Sequence, residues 1–211
     1  MKHSTILYLN RFKTLNAIRE NSSFIVFTVL FILSLFAGCL LFSAGKTNVL
    51  SETLLKIFVT NKIPFSFFKV FVATFLTEIL FLALCYIFGT SLIGIVFIPA
   101  VIVAKGFLLG VLLGNMYVNF KLQAIAYNLI IIVPATCISV LALITSACNS
   151  LDLSYHLGKL LISEGQSETK PQLKNVVFKF LGLAAITVLS ALLQSVMFVA
   201  FIKYFDFGVS I

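Results

Sequence analysis

Polar residues in this chain are gathered into a few short clusters. Between them lie apolar runs of about twenty residues or more, the length that crosses a bilayer as one helix. Five spans are predicted, over about residues 24–44, 67–88, 91–114, 122–147 and 178–202. The runs are continuous, whereas barrel strands alternate apolar and polar residues over about ten positions. Backbone groups in hydrocarbon must be satisfied internally, and continuous runs achieve that as helices. The expected fold is an all-α polytopic integral membrane protein of about five transmembrane helices with interfacial amphipathic segments.

The segments between spans are short. Residues 1–23 carry Lys2, Arg11, Lys13 and Arg19 among apolar residues at 6, 9, 12, 15 and 18. Two readings are open: a basic amphipathic helix on an anionic leaflet, or a basic tail that holds the N-terminus inside. The apolar core of the first span is about 20 residues, against about 7–15 for a signal peptide, so a retained helix is expected. Residues 45–66 place Leu50, Leu54, Ile57 and Phe58 on one helical face, with Glu52 and Lys56 four apart on another. A short interfacial helix ended by Asn61 and Pro64 is predicted there. Gly89-Thr90 is read as a tight turn into the third span, and residues 115–121 as a short polar connection. Pro134 interrupts the fourth span and removes one of its backbone bonds. Leu153, Leu157, Leu160 and Leu161 indicate that the fourth helix continues, or that an amphipathic one starts, before a polar linker over 163–172. Residues 203–211 form a short tail.

Two features stand out inside the apolar runs. Glu78 and Lys105 are ionisable groups where a charge is costly unless it meets a partner. They lie about twelve and fifteen residues from the intervening turn, a mismatch of roughly one helical turn at about 1.5 Å per residue, which a lysine bridges. Pairing is the expected structural role; a proton or cation path through Glu78 is the functional alternative. Immediately after Lys105, Gly106, Gly110 and Gly114 recur every fourth residue and share a helix face. Such a row lets a second helix approach closely, which matters in lipid because helices there associate through packing. Gly38 and Ala37 offer a comparable small-residue contact on the first span.

Composition agrees with the pattern: 61% of the 211 residues are hydrophobic and 10% charged, against about 25% charged in soluble domains. The formal net charge of +8 raises the question of nucleic acid. The basic residues cluster at span ends, where they set topology and meet anionic headgroups, so membrane lipids and not nucleic acid are the expected partners. With the N-terminus cytoplasmic, eight basic residues fall inside and six outside, and five spans then put the C-terminus outside.

Catalytic chemistry is not expected. No stretch between spans exceeds about thirty residues, too short for a domain that folds unaided. Lys105 precedes its glycines and no Gly-Lys-Ser/Thr follows, so a phosphate-binding loop is not formed. The histidines, His3 and His156, sit in polar flanks, and the carboxylates are scattered. Cys39, Cys85, Cys137 and Cys148 have no metal-ligand spacing. No cofactor and no metal site are expected. Glu78, Lys105, Asn128 and Pro134 motivate the competing reading, a small transporter or permease subunit, although no internal repeat is visible.

The run FGTSLIGIVFIPAVIVAKGFLLGVLLG, with Ser91-Leu-Ile-Gly94, then Lys105-Gly106, Gly110 and Gly114, is followed by a proline-containing span with Pro134. Over about residues 86–147 this resembles the stage II sporulation protein M family. The resemblance implies a multi-span protein with a cytoplasmic N-terminus. It further implies a membrane scaffold for engulfment of the forespore, gathering two peptidoglycan-degrading partners, stage II sporulation proteins D and P, at the septal membrane.

Overall fold

The computed structural model describes residues 2–43, 67–162 and 173–201. The expected interfacial helix within 45–66, the linker over 163–172 and the tail over 203–211 lie outside these described residues. Apart from the turn Thr90–Ile93 and the break at Lys121, every described residue is helical. We number the helices α1 (Lys2–Ser43), α2 (Phe67–Gly89), α3 (Gly94–Tyr127), α4 (Val133–Ile162) and α5 (Leu173–Phe201), with a π-helical turn at Asn128–Ile132 between α3 and α4. Five stretches are long and apolar enough to cross a membrane: Ser22–Phe42, Phe67–Gly89, Gly94–Val118, Ile125–Gly158 and Val177–Phe201.

Three boundaries differ from the sequence reading. Residues 2–21 continue the first span as one helix. The reversal after α2 takes four residues, with α3 starting at Gly94. Ser91 organises it, since its carbonyl accepts from the Gly94 N–H at 3.1 Å and its hydroxyl from the Ile93 N–H at 3.4 Å. The stretch read as a polar connection, 115–121, is helical as far as a break at Lys121. It contains polar residues but no glycine or proline, and polarity alone does not end a helix. Asn115 and Met116 are both buried there. Of the two possibilities for residues after 147, the fourth helix continues, to Ile162.

Lys121 has φ 49° and ψ −121°, a conformation that glycine adopts freely and a side chain resists. The replacement Lys121→Gly is therefore expected to stabilise the bundle by roughly 1 kcal/mol. Thermal unfolding in detergent reads this, and a lower midpoint for Lys121→Gly would contradict it.

The π turn has an identifiable cause. Pro134 has no N–H to give the carbonyl four residues back, and its ring crowds that carbonyl. The helix widens, and the Val133 N–H reaches the Asn128 carbonyl five residues back.

Close contacts set the directions of the helices. Gly106, Gly110 and Gly114 of α3 meet successively later residues of α1, so those two run parallel. Gly89 packs on Ser150 and Gly94 on Ser154, which puts the α2–α3 turn beside the end of α4's membrane stretch. Ser190 of α5 donates to the Ala135 carbonyl at 2.7 Å. One buried cluster joins Phe27 and Phe31 of α1, Phe81 and Cys85 of α2, Ile98, Val101 and Ile102 of α3, and Leu143, Ile144 and Ala147 of α4. A second joins Met116, Tyr127, Ile131, Ile132 and Phe198 around the π turn.

Candidate functional site

The α2–α3 hairpin determines where its two charges lie. Glu78 is eleven residues before the end of α2 at Gly89, and Lys105 eleven residues after the start of α3 at Gly94. At about 1.5 Å per residue each is about 16 Å from the turn, near the middle of a hydrocarbon core about 30 Å thick. Because α3 starts at Gly94, the mismatch of one helical turn anticipated from the sequence vanishes. Lys105 Nζ donates to Glu78 Oε1 at 2.7 Å, with the two side chains 7% and 8% exposed. The same Nζ stands 5.0 Å from the centre of the Phe81 ring, one turn along α2 from Glu78. The arrangement neutralises both charges within the protein and keeps them from lipid. A lysine here without its carboxylate has no solvent to reach, which gives the pair its energetic leverage.

Beside the pair, the glycine row faces α1. A Cβ at Gly106 would overlap Ser34 Oγ and come within 2.8 Å of the Phe31 carbonyl oxygen. At Gly110 it would overlap the Leu35 carbonyl oxygen and stand 3.1 Å from the Cys39 nitrogen. From the opposite side, a Cβ at Gly38 would overlap the Phe107 carbonyl oxygen. Backbone thus lies against backbone, and Cys39 Sγ donates across the seam to the Gly110 carbonyl at 3.1 Å. Gly114 is different: its Cβ would find ordinary contact, 3.4 Å from Cys39 Cα. Gly38 belongs to this seam, whereas Ala37 is exposed on the outer face of α1. Ser34 and Cys39 were not singled out by the sequence reading. The available signal was Ser34-x3-Gly38, a small-residue pair at the same spacing as Gly106-x3-Gly110.

Of the other residues considered, Asn128 lies in the π turn, and its Oδ1 is buried with no hydrogen-bond partner among the described residues. It is separate from the ion pair, which sits on α2 and α3. Cys85 is fully buried in the core and Cys137 is exposed.

The family model for Stage II sporulation protein M matches residues 27–202, which takes in all five membrane spans except the first few residues of α1's. The chain belongs to the stage II sporulation protein M family. Neither a curated protein nor a solved structure matches it. In this family member, the residues that carried the resemblance shape the α2–α3 hairpin, its buried ion pair and the seat of α1. Ser91 shapes the hairpin turn, Gly94 packs on Ser154, Lys105 meets Glu78, and Gly106 and Gly110 seat α1.

Proposed function

We propose that this multi-pass membrane protein is a non-enzymatic scaffold for forespore engulfment, one that recruits peptidoglycan hydrolases to the septal membrane. The observation that carries the reading is the family match across residues 27–202. The partners are stage II sporulation proteins D and P, and the N-terminus is cytoplasmic. The bundle supports a scaffolding role in physical terms: its central charges are closed on each other at 2.7 Å, and its close approaches are spent on seating α1 against α3. Under this reading Glu78 and Lys105 brace the bundle, and the segments outside the bilayer make the partner contacts.

Affinity purification of the tagged full-length chain from sporulating cells tests the proposal. Both hydrolases are expected in the eluate, above the level recovered with an unrelated five-span protein. Their absence, together with solute flux through the purified chain in proteoliposomes, would reverse the reading in favour of a transporter.

A further inference from the structure

The five helices do not pack evenly. Among the described residues the most extensive contact joins α1 to α3, while α2, α4 and α5 pack on one another, and contacts between these two groups are sparser. The first group is held backbone to backbone, through Gly38, Gly106 and Gly110 and the Cys39 Sγ bond to Gly110. The seam between the groups is of another kind. Phe27, Phe31, Ile98, Val101 and Ile102 meet Phe81, Cys85, Leu143, Ile144 and Ala147, mostly apolar side-chain surface. Only at the turn end does Gly94 pack on Ser154, whose hydroxyl donates to the Ser91 carbonyl at 2.7 Å beside the α2–α3 pivot. In lipid, separating apolar faces carries no hydrophobic penalty, because acyl chains are as apolar as leucine. What distinguishes this seam is the Glu78–Lys105 pair, which crosses it near the bilayer midplane.

Irregular backbone falls where the groups are joined. The α2–α3 connection is the non-helical turn Thr90–Ile93. The α3–α4 connection contains the non-helical Lys121, the π turn and Pro134. Hinges use positions such as these, which absorb a change of backbone angle without breaking long helices. Asn128 Oδ1 is buried in the same connection without a hydrogen-bond partner among the described residues.

We propose that the bundle works as two bodies, α1–α3 and α2–α4–α5, which turn against each other about these two connections, with Glu78–Lys105 as the latch. This inference is independent of the sporulation reading, since it concerns how the bundle moves and not what it recruits. Two native cysteines report on the two kinds of seam. Cys39, half-buried, bonds across the α1–α3 seam, and Cys85, fully buried, lies between the bodies.

The test is maleimide labelling of the full-length chain in nanodiscs, read at each cysteine by peptide mass spectrometry. In Lys105→Met and in the milder Glu78→Gln, Cys85 is expected to label at least tenfold faster than in the native chain, with Cys39 unchanged. Glu78→Met/Lys105→Met, which removes the latch without leaving a charge unpaired, is expected to label Cys85 faster than the native chain as well, with Cys39 unchanged; a native rate in this variant would overturn the latch. Equal acceleration at both cysteines would mean general loosening and would overturn the two-body arrangement. No acceleration at Cys85 in either single variant would overturn the latch.

Discussion

Lys105→Met is expected to destabilise the bundle by about 3–5 kcal/mol, because it leaves the Glu78 carboxylate buried with its partner gone. Glu78 has no route to water: it lies eleven residues from the end of α2, and its side chain is 8% exposed. The double replacement Glu78→Met/Lys105→Met should instead stand near the native stability or above it. Well-packed apolar groups in place of a buried pair are commonly neutral or stabilising by about 1–4 kcal/mol, since neither charge then has to be desolvated. Insertion itself survives the single change. A carboxylate at a helix centre costs about 2.5–3.5 kcal/mol on insertion scales, while each Leu, Ile, Phe or Val returns about 0.3–0.6, and α2 is rich in them. The defect therefore lies in packing of the inserted helices. Reversible unfolding in mixed detergent micelles, measured for the native chain, both single changes and the double, yields the coupling energy directly. A double variant no more stable than Lys105→Met would show that the pair does not act as a unit.

The second large effect is expected at Gly110. Replacement by leucine places a Cβ on the Leu35 carbonyl oxygen and a longer side chain beyond it, so α1 and α3 must separate. The loss is about 3 kcal/mol, the upper part of the range for forcing volume into a packed site. It removes the Cys39 contact to the Gly110 carbonyl as well. Gly114 is the internal comparison four residues along the same face. Alanine fits there at ordinary contact distance, and it is the better helix former by about 1 kcal/mol. Gly114→Ala is thus expected to be neutral or stabilising, with the sign of the effect changing between neighbouring glycines of one row. Unfolding midpoints of the two variants measure this. Equal losses at both positions would mean that the row acts through glycine's flexibility and not through the space it leaves.

The two positions also show how far the sequence could be read. Glu78 and Lys105 are visible as candidates because a short hairpin ties their depths together, and residue counting from the turn converts directly into height in the membrane. The Gly106–Gly110–Gly114 face is visible from its period of four. Its occupant is not, because helix pairing in lipid depends on which small-residue faces match in space. Ser34-x3-Gly38 is a weak signal among five apolar helices that are otherwise alike. The same limit explains residues 115–121. Their polarity marks a membrane exit when read by hydropathy, yet Asn115 is buried within a continuing helix, and the chain turns only where the backbone leaves helical angles at Lys121. The π turn was legible in part. Pro134 announces a disturbed helix, but whether the result is a kink or a widened turn depends on how neighbouring helices hold the two halves.

Under the proposed function, this chain localises wall-degrading partners. Imaging fluorescently tagged stage II sporulation proteins D and P in sporulating cells, with the chain present, deleted and restored, tests it most directly. Both proteins are expected to concentrate at the septum only when the chain is present. Normal septal accumulation in its absence would contradict the account.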